Sequence, residues 1–210
     1  MITGPSSPRI FQIGFNRCGT TTLIRFFQAN GLKSLHWGRG SIAAGIEAAH
    51  LEGKPLLSYT DGYFVYGDME FVEVESESKK ILKKKPFRRL YKNLSKNKFI
   101  PIYAFERFRE LDKQYPGSRF ILNTRNVEEW VNSRIRFLER GYFYCKHGNN
   151  YHSSQKELNQ CWIKHWNEHI LDVKEYFSER PEDLLEFDLD KDSPQKIANR
   201  RVHGVPERSI

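Results

Sequence analysis

The sequence predicts an α/β protein, a three-layer sandwich with a mostly parallel central sheet. Short apolar, strand-like runs alternate with helix-periodic runs along the chain, the pattern of strands joined by crossover helices. The first such pair is joined by a glycine-bearing turn, "IGFNRCGTT" from Ile13 to Thr21. At 210 residues and 39% hydrophobic content, the chain is long enough for a sizeable core. No internal repeat or linker interrupts it. One domain over 1–210 is expected, with 1–8 and 200–210 irregular.

The elements follow in order. "RIFQIG" (9–14) is a short apolar run ending in glycine, a buried strand. "TTTLIRFFQANG" (20–31) has helix-spaced apolar residues at Leu23, Ile24, Phe26 and Phe27, with Gly31 as its stop. "LKSLHW" (32–37) reads as a second strand. "SIAAGIEAAHLEG" (41–53) reads as a helix with Ser41 near its N-cap. Residues 54–71 mix aromatics with turn signals, Asp61-Gly62 and Gly67-Asp68; a strand-like start and then irregular structure are expected. "AFERFRELDKQYPG" (104–117) is an amphipathic helix stopped at Pro116-Gly117, and "RFILNTR" (119–125) is a buried-type strand. A helix over 126–141 has acidic residues in its first turn, where the dipole favours them. A loop (142–154), a long helix (155–180), a last strand (183–189) and a possible short helix in the tail complete the order.

Composition excludes several classes. No apolar run approaches the roughly 20 residues a membrane helix needs. The N-terminal residues lack the basic-then-apolar layout of a signal peptide. Cys18, Cys145 and Cys161 are an odd, scattered set, read as reduced thiols in a cytoplasmic setting. The net charge of +8 favours anionic ligands, and much of it lies in residues 79–98. That run is open to three readings: a solvated helix face, a lid or groove for an anionic substrate, or a nucleic-acid contact. With aromatics only at Phe87 and Tyr91, it makes a poor base-stacking platform, and no nucleic-acid partner is expected. On the long helix, Cys161, His165 and His169 stand at i, i+4 and i+8. They span about 12 Å, too far for one metal. Packing histidines are expected, and core positions for Trp130, Trp162 and Trp166.

The glycine turn carries the chemistry. Gly14 and Gly19 have P-loop spacing, and Thr21 sits where that loop has Ser/Thr. Thr20, however, replaces the lysine that reaches the β- and γ-phosphates of a Mg²⁺-bound triphosphate, and Arg17 appears inside the loop instead. The only run resembling a second metal ligand ends at Asp188, very late. Gly14 and Gly19 suit a nest of backbone N–H groups at a helix N-terminus, and Thr20, Thr21 and Thr22 offer hydroxyls. Cys18 reads as a small residue allowing close phosphate approach; a redox thiol is the alternative.

Arg17-Cys18-Gly19-Thr20-Thr21 resembles the 5′-phosphosulfate-binding loop of sulfotransferases that use 3′-phosphoadenosine 5′-phosphosulfate (PAPS). "FILNTRNVEEWVNS" resembles the second signature of that family: Arg125 ends a strand and Ser133 follows eight residues later on a helix. "HW" after the first helix, "YPG" before the strand and "LLEFDL" near the end extend the similarity over roughly residues 9–190. The resemblance implies a P-loop NTPase-like sulfotransferase fold, PAPS as co-substrate and no metal. It implies that Arg17 stabilises the transferred group and that Arg125 and Ser133 bind the 3′-phosphate. Arg200 and Arg201 stand where larger relatives close a basic loop over the donor. The acceptor would be a hydroxyl or amine on a small molecule or carbohydrate, an anionic one being compatible with the charge. For the base, His36 closes the second strand; Asp61, Asp68 and Glu70 are the other candidates, and a structural histidine capping the strand is the competing reading of His36. Tyr59, Tyr63, Phe64 and Tyr66 suit either an acceptor pocket or the core. A nucleotide-binding protein without turnover and a P-loop small-molecule kinase are the alternative functions.

Overall fold

The computed structural model describes residues 7–71, 101–136 and 154–199. The elements are β1 (Ile10–Gln12), α1 (Thr20–Ala29), β2 (Ser34–His36), α2 (Ser41–Leu51), β3 (Val65–Gly67), β4 (Glu70–Phe71), β5 (Ile102–Tyr103), α3 (Phe108–Gln114), β6 (Arg119–Thr124), α4 (Val127–Ile135), α5 (Gln155–Tyr176), β7 (Leu184–Asp188) and α6 (Gln195–Asn199). One-turn 3₁₀ segments, Gly38–Gly40 and Ala104–Arg107, precede α2 and α3. The basic run 79–98, Arg200, Arg201 and nearly all of the 142–154 loop lie outside the described residues.

Five strands form a wholly parallel sheet in the order β2-β3-β1-β6-β7, and β4 and β5 make a separate antiparallel pair. Strand alternation sends side chains to two cores. Ile10, Val65, Ile121, Leu185 and Phe187 meet Leu23, Ile24 and Phe27 of α1 on one face. Phe11, Tyr66, Phe120 and Leu122 meet α2, α3, α4 and α5 on the other. Helices on both faces of a parallel sheet are the expected three layers. Trp130, Trp162 and Trp166 are core residues, as is Tyr66.

Three expectations need correction. The strand within 54–71 lies at its end: residues 56–60 are turns, and Val65–Gly67 form a fully buried inner strand. Gly67 belongs there because a Cβ would meet Gln12 Oε1 at 2.3 Å and Ile24 at 2.8 Å. The helix expected over 104–117 is delayed to Phe108, because Ala104 N–H donates to Met69 O (2.9 Å) and holds the chain against β4. Cys18 is a free thiol, but Cys161 is disulfide-bonded. The cytoplasmic setting read from three thiols loses that support. The helix caps follow the sequence more closely: Asn126 accepts from Glu128 and Glu129 N–H, and Ser154 accepts from Glu157 N–H. No described helix is long and apolar enough to cross a membrane.

Candidate functional site

The carboxyl ends of β1, β2, β3 and β6 converge on the loop between β1 and α1. The crevice at such an edge, where connections leave the sheet in opposite directions, is where α/β folds bind ligands. The loop is held from behind. Ile13 N–H donates to Ile121 O (2.8 Å), and His169 Nε2 on α5 donates to Ile13 O (2.7 Å). Burial keeps His169 neutral, its pKa lowered to about 4 against the opposing pull of the bond to Ile13 O. Asn123 of β6, fully buried, accepts from Gly14 N–H (3.1 Å) and donates to Phe15 O and Cys18 O (3.2 Å each). Trp130 Nε1 donates to Asn16 O (3.0 Å), and Arg134 donates to Asn16 Oδ1 (3.2 Å). Arg134 itself lies between the Trp130 and Trp162 rings (5.1 and 4.9 Å) and pairs with Glu70 at 3.1 Å, both side chains 1% exposed.

The consequence is directional. The carbonyls of Ile13, Phe15, Asn16 and Cys18 are tied to donors behind the loop, while the N–H groups of Cys18, Gly19, Thr20, Thr21 and Thr22 have no acceptor among the described residues. The first helical bond is Leu23 N–H to Gly19 O (3.0 Å). Unfilled N–H groups at a helix N-terminus form an anion cradle. Gly19 has φ 74°, and Leu189 packs where its Cβ would be, at 2.7 Å. Gly14 has a different part from the one expected. Its N–H is taken by Asn123, and a Cβ there would meet Asn123 O at 2.1 Å. Cys18 contributes its N–H only, since its side chain is fully buried and burial pushes the thiol well above its ordinary range. The redox-thiol reading therefore fails.

Two motifs distant in sequence meet on this loop. Arg17, at φ 65°, donates from Nε to Ser133 Oγ on α4 (3.2 Å). Arg125 approaches Arg17 O through Nη1 (3.5 Å) and Asp190 Oδ1 through Nη2 (3.6 Å), and its buried Nε has no acceptor among the described residues.

His36, at the end of β2, reaches the same place. Its Nε2 lies 3.3 Å from Thr20 Oγ1, and 3.5 Å from both Thr21 Oγ1 and Asp68 Oδ2. Burial, and then the Arg25 charge, lower its pKa, so the ring is neutral at pH 7. Asp68, just after β3, is raised to about 7 by burial and by Glu70, against the pull of Arg17 and Arg134. Asp61 is not brought here. It precedes β3, pairs with Arg9 before β1 (3.3 Å) and lies at the opposite, amino end of the sheet. Glu70 is locked in its buried ion pair. Asn123, Asn16 and Arg134 were missed from sequence; an Asn inside "FILNTR" was the available signal.

All described non-glycine residues with positive φ, namely Arg17, Trp37, Arg39 and Asp68, lie at this one edge. Such conformations cost about 1–3 kcal/mol each and gather at functional sites. Among the described residues no group of three or more His, Cys, Asp or Glu is placed to hold a metal ion.

Residues 9–148, well over half of the chain, match a family described as "Sulfotransferase domain". A search among curated proteins returns no match.

Proposed function

The chain belongs to the sulfotransferase family, and from that membership we propose that it transfers a sulfuryl group from PAPS to a hydroxyl or amine acceptor. The observation that carries this reading is the meeting of Arg17, Ser133 and Arg125 over a cradle of unfilled N–H groups (Arg17 Nε to Ser133 Oγ, 3.2 Å). A donor with two phosphate ends needs two anion sites, and the buried Arg125 Nε without an acceptor fits one of them. PAPS supplies an activated sulfuryl group on a phosphate leaving group. The chain's own residues do the rest. The N–H groups of Cys18 to Thr22 and the Thr hydroxyls hold the leaving phosphate. The Arg17 fork neutralises charge that develops between sulfur and leaving oxygen, at a fixed position and without a metal. Arg125 and Ser133 hold the 3′-phosphate. Neutral His36 takes the acceptor's proton as its oxygen or nitrogen bonds to sulfur and the sulfur–oxygen bond to phosphate breaks. Thr20 in the lysine position argues against the kinase reading. Labelled PAPS tests the proposal: label should pass to an acceptor. Label that stays on the donor across glycan, phenol and amine panels, while 3′-phosphoadenosine 5′-phosphate still binds, would support the reading without turnover.

A further inference from the structure

The segment after β2 is unlike the other described segments. Trp37, Gly38, Arg39 and Gly40 all have positive φ, at 53°, 57°, 57° and 86°. Only the two glycines adopt this region without strain. It follows His36 directly, so it stands at the carboxyl edge beside the acid–base pair. The other three tryptophans are buried at 0–5% exposure, whereas Trp37 is 41% exposed. Seven other described arginines face carboxylates. Arg39, two residues from Trp37, and Arg25, on the exposed side of α1, face none among the described residues. Arg25 is near enough to His36 for its charge to depress that ring's pKa. An exposed indole next to a proton acceptor offers a ring-stacking face. Guanidinium groups at the same edge that face no carboxylate among the described residues offer two-pronged contacts to a carboxylate or sulfate.

We propose that Trp37, Arg39 and Arg25 form the acceptor subsite, which takes a sugar ring bearing an anionic group and presents its hydroxyl to His36. This rests on the sulfotransferase reading and narrows its acceptor to an acidic saccharide. The sugar's apolar face lies on Trp37, and its carboxylate or sulfate is held by Arg39 and Arg25. The backbone strain fixes the indole and the guanidinium relative to His36.

The test uses the full chain with 3′-phosphoadenosine 5′-phosphate or PAPS and a matched pair of probes, 4-nitrophenyl β-D-glucuronide and 4-nitrophenyl β-D-glucoside. Calorimetry with the bisphosphate comes first, because loss of donor binding would overturn the parent reading, not this one. With donor bound, the glucuronide should protect Trp37 from iodide quenching, and the glucoside should protect it far less. Trp37→Phe supplies the baseline. Transfer from labelled PAPS should favour the glucuronide. Arg39→Asn, a residue that tolerates this backbone, should raise KM for the glucuronide roughly tenfold to a hundredfold, the worth of a charge-assisted contact. Arg39→Lys should recover part of that loss. Bisphosphate affinity should stay within about threefold of wild type in all variants. Donor binding combined with no Trp37 protection by the glucuronide, or equal protection by both probes, overturns the proposal.

Discussion

Asn123→Ala is the sharpest perturbation of the loop. The wild-type amide makes three hydrogen bonds, to Gly14 N–H, Phe15 O and Cys18 O, at 3.1, 3.2 and 3.2 Å, in a fully buried position. Each is neutral, with a net worth of about 1 kcal/mol, and each leaves a buried backbone group unmatched when removed. The sum is about 3 kcal/mol, less whatever water recovers. For a chain of this size that corresponds to a melting-temperature loss of roughly 6–12 °C. The functional effect should exceed the global one. With Phe15 O and Cys18 O released, the loop carbonyls can turn toward the cradle, and affinity for 3′-phosphoadenosine 5′-phosphate should fall at least about tenfold, or about 1.4 kcal/mol. Asn123→Asp separates the contributions. It keeps the acceptor for Gly14 N–H but sets a carboxylate against two carbonyls, so it should bind no better than Ala. Differential scanning fluorimetry and calorimetry read both effects. An Asn123→Ala protein that melts within 1 °C of wild type and binds the bisphosphate equally well would refute the loop-clamp argument.

Other predictions follow from the same geometry. Gly14→Ala drives a Cβ to 2.1 Å from Asn123 O, a backbone atom of an inner strand; it should cost about 1–3 kcal/mol and abolish bisphosphate binding, and a fully stable, binding variant would contradict it. His36→Ala should lower transfer by roughly 10²–10⁴-fold with donor affinity kept; because the His36 pKa is lowered from 6.5, the acid limb of kcat/KM should fall below pH 6.5, and a limb above it would exclude His36 as the base. The Asp68 carboxyl is raised from 3.8 to about 7 on folding, so the unfolded chain releases this proton first and wild type loses stability as pH rises through that window. The stability gain of Asp68→Asn over wild type should therefore grow between about pH 4 and pH 7, by at most about 1.4 kcal/mol per pH unit; urea melts showing a flat difference would refute this. EDTA should leave transfer from PAPS unchanged, and loss restored by a divalent cation would contradict metal-free catalysis.

Much of the fold was legible because its signals are local. β1, α1, β6 and α4 each carry a mainly apolar or amphipathic pattern. β3 was misplaced because two turn signals, Asp61-Gly62 and Gly67-Asp68, bracket it; the strand lies between the turns, not before them. β4 and β5, two residues each, are too short to show any period. For the site, Arg17, Gly19, Arg125 and Ser133 could be picked out because loop and strand-end motifs are contiguous in sequence. The choice between Asp61 and Asp68 could not be read, since both sit in one turn-rich stretch. Only the position of β3 sends one to the amino edge, against Arg9, and the other to His36. Asn123 was missed because a polar residue inside an apolar strand has no local meaning until the loop it clamps is folded against it. Arg39 drew no notice, and Trp37 was noticed only as part of "HW", because backbone handedness leaves no mark on composition or periodicity.

The central claim is that the loop and the Arg125–Ser133 pair form one site for a donor with two phosphate ends. Calorimetric titration with 3′-phosphoadenosine 5′-phosphate, beside ATP–Mg²⁺, tests it most directly. The account predicts one-to-one binding of the bisphosphate, at least about tenfold tighter than ATP–Mg²⁺ and severely weakened by Arg125→Ala. Tighter binding of ATP–Mg²⁺, or bisphosphate binding unaffected by Arg125→Ala, would contradict it.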